Sequence, residues 1–201
     1  AYKVRIRTTD AAGLFYEEAV DLSVNDVPLK TQGRLEWSRL LGTSVVPYGH
    51  GITTSRDGSI YIVGTTSGDL DDQFNSYESD SFISKYNPEG TREWTRLLSS
   101  GPLGVWMDLT TGRDGSVYIA TDTNEYSSSI NTDVIISKFK SDGTEEWKRL
   151  IDRGENFNDS TSAIHEGSDG SIYVTGYSFD PSINLLQIFL TKLNSAGDIQ
   201  W

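Results

Sequence analysis

Short apolar runs alternate with polar, glycine-punctuated stretches along this chain, and no segment carries the 3.6-residue spacing of an amphipathic helix. Between Gly42 and Leu98 there are four runs: Ile52–Ser55, short and mixed; Ile60-Tyr61-Ile62-Val63; Phe82-Ile83-Ser84-Lys85-Tyr86; and Glu93-Trp94-Thr95-Arg96-Leu97-Leu98. The second is apolar at every position. A half-exposed strand alternates, whereas a short continuous run fits a strand covered on both faces. Arg56-Asp57-Gly58-Ser59 predicts a two-residue hairpin between the first two strands, with Asp-Gly supplying the positive φ angles. A polar loop, Gly64–Ser79, leads to the third strand. Asn87-Pro88-Glu89-Gly90 predicts a turn before the fourth, with Gly90 in the left-handed conformation.

The same order of elements recurs. An Asp-Gly-Ser turn followed by an aliphatic and a tyrosine stands at Asp57–Tyr61, Asp114–Tyr118 and Asp169–Tyr173. Trp37, Trp94, Trp147 and Trp201 follow one another at intervals of 53 to 57 residues. Phe82, Ile135 and Phe189 share a register, as do Lys85, Lys138 and Lys192, then Tyr86, Phe139 and Leu193. Self-similarity at such a period is the signature of a repeat architecture. Four short strands per unit, the second apolar on both sides, describe the blade of a β-propeller. The predicted fold is therefore all-β, with three four-stranded blades of about 54 residues each. They cover about 42–98, 99–151 and 152–201, and Gly33–Leu41 reads as a fourth strand belonging to another blade. One large aromatic per unit at one position predicts a wedge between blades. Exposed platforms for stacking sugars are the alternative.

Residues 1–28 differ. Tyr2–Arg7 alternates like a strand, Thr8–Leu14 is a turn region, and Ala19–Val24 is a second strand, followed by a linker at 29–32. Ala1–Arg7 reads as a strand already under way, which predicts a piece of something larger. An isolated two-stranded hairpin is marginal at best.

The order Trp-Ser-Arg-Leu-Leu-Gly, then Asp-Gly-Ser-Ile-Tyr-Ile-Val-Gly-Thr-Thr-Ser-Gly-Asp-Leu-Asp, then Asp-Ser-Phe-Ile-Ser-Lys-Tyr-Asn-Pro-Glu-Gly resembles the bacterial SBBP-type beta-propeller repeat, over roughly 33–201. The resemblance implies a large secreted or cell-surface bacterial protein. The second unit departs from it at Thr121-Asp122-Thr123-Asn124, and the third at Phe179-Asp180-Pro181. Residues 1–28 resemble the last two strands of a cadherin-like sandwich, which implies calcium at an acidic junction. Asp10 and Asp26 match that pattern, but Pro28 stands where its Asn-Asp-Asn stretch would begin.

Three blades do not close, since propellers usually have four to eight. An open wedge exposes two apolar blade faces, more than a monomer usually tolerates. Either a longer chain closes the ring, or two copies join head to tail into six blades. In the second case each would lend the strand of Trp37 to its partner's third blade.

Seventeen Lys plus Arg against twenty-nine Asp plus Glu give a net charge of -12. That balance disfavours nucleic acid as a partner, because such affinity comes from neutralising phosphates. No apolar run approaches the length of a membrane-spanning helix, which argues against membrane insertion. Cysteine is absent, so disulfides and thiolate chemistry are excluded.

His50 and His165 fall on the innermost strands but in different registers, and no triad spacing or nucleophile elbow accompanies them. No catalytic constellation is readable. Asp69, Asp71, Asp72 and Asp80 supply the kind of oxygen that calcium takes, although the loop lacks EF-hand spacing and reads ordinarily as solvated. The recurring lysines predict one ion pair per blade rather than a phosphate ring.

The expected role is a structural or interaction module, a scaffold presenting loops to a protein or glycan outside a bacterial cell. A carbohydrate-binding or carbohydrate-processing propeller is the alternative, marked by Tyr48, Phe74, Tyr77, Trp106, Tyr126 and Phe157 gathered at one mouth. A calcium-stiffened adhesion segment is the third reading.

Overall fold

The computed structural model describes residues 2–9, 15–22, 36–41, 47–68, 70, 80–98, 103–123, 132–152 and 157–201. The chain divides into two units, Ala1–Glu36 and Trp37–Trp201. In the first, β1 (Tyr2–Thr9) and β2 (Phe15–Leu22) form an antiparallel hairpin with Tyr2 opposite Leu22 and Thr9 opposite Phe15. The second strand thus begins earlier than the apolar pattern at Ala19 predicted.

The second unit is three successive antiparallel sheets, and they are blades of a β-propeller. The first contains β3 (Tyr48–Thr54), β4 (Ile60–Thr66), β5 (Asp80–Tyr86) and β6 (Arg92–Leu97), in that spatial order. The second repeats it with β7 (Leu103–Thr111), β8 (Val117–Thr123), β9 (Val134–Phe139) and β10 (Glu145–Ile151). The third has β11 (Asn158–Glu166), β12 (Ile172–Asp180) and β13 (Leu185–Leu193). Its fourth strand is represented by a bridge between Leu193 and Ile199 and by two hydrogen bonds at Lys192. The Lys192 N–H donates to the Trp201 carbonyl at 2.8 Å, and the Gln200 N–H to the Lys192 carbonyl at 2.8 Å. Trp201 therefore stands opposite Lys192 as Trp94 stands opposite Lys85 and Trp147 opposite Lys138.

The core lies between blades. Tyr61, Val63 and Ile83 of the first blade pack with Met107, Leu109, Val117, Ile119 and Phe139 of the second. Tyr118, Ala120, Val134, Ile136 and Ile151 of the second pack with Ile164, Ile172, Val174, Phe189 and Leu193 of the third. Strand β8 is accordingly covered on both faces, as its unbroken apolar run predicted. The flanking second strands are covered on one face only. Ile60 and Ile62 of β4 remain half-buried, as do Tyr173 and Thr175 of β12, because no further blade stacks on them.

Several local details differ from the expectation. The Asp-Gly turns are three-residue loops. The Ser55 N–H donates to the Ser59 carbonyl at 2.9 Å and the Gly58 N–H to the Ser55 carbonyl at 3.0 Å. Gly58 alone takes a positive φ, 83°. Asp57 instead accepts from the Ser59 N–H at 2.9 Å, so it closes the turn with its side chain. This is the type I turn followed by a left-handed residue that serves three-residue hairpins. Gly90 adopts the expected left-handed conformation, with φ 77°. Strand β4 continues through Gly64–Thr66, which the polar composition had placed in a loop, and β3 starts at Tyr48 rather than Ile52. Residues 36–41 lie outside any strand. The fourth strand expected at Gly33–Leu41 is thus not formed over its described part, 36–41, because no described strand pairs with it.

Gly64 explains one departure among the units. A Cβ there would lie 2.0 Å from the Tyr48 carbonyl oxygen and 2.8 Å from the Phe82 ring. Gly176 would meet the Ser160 carbonyl oxygen at 1.9 Å and Phe189 at 2.8 Å. In the middle blade, Thr121 takes this position opposite the smaller Ile135, and the pairing of β7 with β8 shifts between Leu103 and Met107. Glycine and a cross-strand phenylalanine therefore occur together, and threonine goes with isoleucine.

Candidate functional site

The antiparallel order puts the three-residue turns of the blades at one end: 55–59, 87–91, 112–116, 140–144, 167–171 and 194–198. The connections 67–79, 98–102, 124–133, 152–157 and 181–184 leave from the opposite end. Contacts across the blades hold the turn ends level. The Thr111 hydroxyl donates to the Thr54 carbonyl at 2.9 Å, and the Arg113 N–H to Glu166 Oε2 at 2.9 Å.

Trp94 and Trp147, at the turn end, each bridge two units. Trp94 lies 6.0 Å from the Tyr61 ring of its own blade, while Gly143 of the next blade sits under its indole. Its Nε1–H donates to the Ser141 carbonyl at 3.1 Å. Trp147 repeats this with Tyr118, Gly197 and the Ser195 carbonyl, at 5.9 Å to the ring and 3.2 Å for the hydrogen bond. Only a residue without a Cβ leaves room for the ring: an added Cβ would come within 3.0 Å of it at Gly143 and Gly197. Arg96 and Arg149 stack on these indoles at 5.5 and 5.6 Å. Trp94 and Trp147 are thus the wedges the sequence predicted, rather than platforms open to a sugar.

Trp37 makes the same contact with Gly90, and Arg39 donates to the Gly90 carbonyl at 3.0 Å. Trp201 lies 6.4 Å from the Tyr173 ring; no described blade stacks beyond it, and it is 60% exposed.

The lysines behave as ion-pair members. Lys85 meets Glu93 at 2.8 Å, Lys138 meets Glu146 at 2.9 Å and Asp114 at 3.2 Å, and Lys192 meets Asp169 at 3.1 Å. Burial of Lys138 works against its charge, but Glu146, Tyr118 and Asp114 outweigh this and raise its pKa. Each ammonium also lies over a tyrosine ring, at 5.4 to 5.8 Å.

The connection end is more acidic than sequence reasoning anticipated. Asp122, near the end of β8, is buried and bridges to β11. Its Oδ2 accepts from the Ser160 hydroxyl at 2.6 Å and its Oδ1 from the Thr161 N–H at 2.8 Å. Burial, reinforced by the charge of the fully buried Asp159, pushes its pKa up to about 6 against those hydrogen bonds. Asp108 ties the same two blades, accepting from the Ile164 N–H at 2.9 Å. Neither Asp122 nor Asp159 was singled out beforehand. The signal available was the departure Thr121-Asp122-Thr123, an acid inside an otherwise apolar strand.

Asp80 is buried at the start of β5. Asp69, Asp71, Asp72, Asp10 and Asp26 lie outside the described residues, as do Phe74, Tyr77 and Tyr126. Among the described residues, no group of three or more His, Asp or Glu is placed to hold a metal ion. His50 on β3 is exposed and sits 3.2 Å from the Thr65 hydroxyl, with partial burial lowering its pKa. His165 is on β11, so the structure does not bring the two into one register. Tyr48 is 62% exposed at the connection end of β3.

Two clefts open along the blades. One, of about 220 Å³, lies between the first two blades and is lined by Arg96, Leu98, Ile135, Phe139, Glu145 and Lys148. The other, of about 350 Å³, lies between Trp37–Leu41 and the outer face of the first blade, against Tyr48, Ile52, Ile60, Ile62 and Phe82.

Residues 36–71 match the family described as SBBP, Beta-propeller repeat. The chain is 29% identical over 143 residues to the regulatory protein FlaEY of Caulobacter vibrioides, a match covering 62% of this chain and 15% of that protein. An endo-arabinase from Bacteroides thetaiotaomicron is similar in structure, with a TM-score of 0.45 and 14% identity over 98% of this chain and 70% of its own. A thermostable family-43 glycoside hydrolase gives 0.45 and 12% over the same shares.

Proposed function

We propose that this chain is a structural and interaction module of a large secreted or cell-surface bacterial protein. Its blades act as a rigid frame that presents the connection end to a protein or glycan partner. The observation that carries this reading is the asymmetry of the two ends. The three-residue turns lie at one end, where Trp94, Trp147, Thr111 and Arg113 make contacts across blades. The opposite end carries the connections of varied length, and binding residues concentrate on such segments when a rigid scaffold positions them.

Two measurements test it. An antibody against the blades should label intact cells that produce the parent protein; labelling only after lysis would sink the extracellular placement. A glycan array and a pull-down of surface proteins should each be run with the wild-type chain and with residues 71–78 replaced by a short Gly-Ser linker. Binding that the replacement abolishes, while the thermal midpoint stays put, supports the connection end as the docking face. Binding that survives the replacement places the partner elsewhere.

Carbohydrate binding is the second reading, favoured by Tyr48, which offers an exposed ring at that end. Tyr48→Ala would then remove array signal that the loop replacement also removes. Running the array with calcium and with chelator distinguishes a calcium-assisted version.

A further inference from the structure

The two outer blade faces match, residue by residue in register, the two sides of a closed junction. At the closed junctions, Tyr61 and Ile83, then Tyr118 and Ile136, press against the next blade. The corresponding residues of the third blade are Tyr173 and Leu190, and Leu190 is 54% exposed where Ile83 and Ile136 are 0%. On the receiving side, Leu109 and Ile164 are 5% and 4% exposed, whereas Ile52 in the same register is 70% exposed. Ile188 and Trp201 extend the open surface of the third blade.

The receiving side also holds part of an absent blade. Trp37 sits on Gly90 as Trp94 sits on Gly143 and Trp147 on Gly197, so Trp37–Leu41 already lies where the outer strand of a preceding blade belongs. The cleft of about 350 Å³ behind it is bounded by that segment and by Ile52, Ile60 and Ile62. It therefore opens on the side where the inner strands of a preceding blade would stack. Among the described residues the third blade has three strands, and Gln200–Trp201 pairs with Lys192 along its outer edge.

We propose that a second copy of this chain covers both faces. The third blade of one copy docks on the first blade of the other. Trp37–Leu41 then pairs with β13 of the docked blade and takes the place of that copy's Gln200–Trp201. Two such junctions, related by a two-fold axis, close six blades, within the usual range for propellers. Trp37 keeps the glycine seat it already has, so the docked blade gains its outer strand without moving the indole.

The test is the solution mass of the 201-residue chain by sedimentation equilibrium, with substitutions on each face. The wild-type chain should give twice 22.3 kDa. Ile52→Asp and Leu190→Asp both lie on surface that is open in one copy, so both variants should keep the circular dichroism of the wild type. Each alone should weaken association at least about tenfold, because each breaks both junctions. Mixed in equal amounts they should form a heterodimer through the one intact junction. Removing Gln200–Trp201 should leave the dimer intact, whereas Trp37→Ala should weaken it.

A mass of one chain at every concentration would overturn the proposal and leave these faces to blades of a longer chain. So would a mixture of the two Asp variants that stays monomeric. Association that Leu190→Asp abolishes and Ile52→Asp leaves untouched would also overturn it, in favour of two third blades meeting face to face.

Discussion

The second blade is enclosed between neighbours and the first and third are not, although all three are built to one plan. Where Val134 and Ile136 are fully buried in β9, Ile188 and Leu190 of β13 face outward. The difference shows that burial here belongs to the junction and not to the blade. A single blade has apolar residues on both faces of its second strand and cannot cover either by itself, which is the general condition of repeat folds. The junctions are not identical. Among the described residues, the first carries the Thr111–Thr54 and Trp94–Ser141 hydrogen bonds, while the second adds two carboxylates, Asp108 and Asp122, which reach across from β7 and β8 to the backbone of β11. That junction is therefore specific as well as tight, because a carboxylate buried there must find its donors.

Substitutions at matched positions should separate closed junctions from open faces. The largest contrast is expected at the core of the receiving side. Leu109→Ala should cost about 2–5 kcal/mol of unfolding free energy, and Ile52→Ala in dilute protein less than about 0.5 kcal/mol, read by urea denaturation. Equal costs would show that the open face is covered in the single chain. Next, Trp147→Ala should cost about 2–4 kcal/mol, since it empties the seat over Gly197, while Trp201→Ala should cost less than about 1 kcal/mol.

The polar character of the second junction gives a pH signature. Asp122 holds its proton up to about pH 6 in the folded chain, against 3.8 for the ordinary carboxyl. The folded state therefore binds that proton more tightly than the unfolded state. The resulting stability is fully present below pH 3.8 and is lost as the pH rises through 6, a change of about 3 kcal/mol at most. Asp122→Asn keeps the shape and should flatten this part of the profile and stabilise the chain at pH 7. An unchanged profile would mean that the buried carboxylate is not the titrating group. The smallest effect is expected from Lys138→Met, less than about 1 kcal/mol, since its carboxylate partners are largely in water.

How much of this could be read beforehand follows the same division. The wedge role of Trp94 and Trp147, the turn at Gly90 and the two-sided cover of β8 were legible, because each repeats a local pattern with one physical solution. The pairing of Gly64 with Phe82 was present in the sequence but unread. It needs the cross-strand register, which sets a glycine opposite a phenylalanine eighteen positions away in the chain. The extension of β4 through Gly64–Thr66 was missed for a related reason. Small and hydroxylated residues look like loop until a neighbouring strand claims their backbone groups. Gly33–Leu41 was read as a fourth strand from its place in the repeat, yet a strand requires a partner, and a place in the repeat does not supply one over the described part, 36–41. The Asp122 bridge lay in a known irregularity of the second unit, but only the placement of β11 beside β8 turns that acid into a tie between blades.

The indoles of Trp37, Trp94 and Trp147 reach forward, each into the turn of the unit that follows and not into its own. No unit therefore carries its own fastening, and any stretch cut out from one tryptophan to just before the next removes one ring and one seat together. Joining Glu93 directly to Trp147 would leave a shorter array in which every remaining indole, up to the last, still finds a glycine ahead of it. A gene built this way can gain or lose whole units by unequal exchange without having to invent a new contact, so the length of the array is free to drift while its joints stay the same.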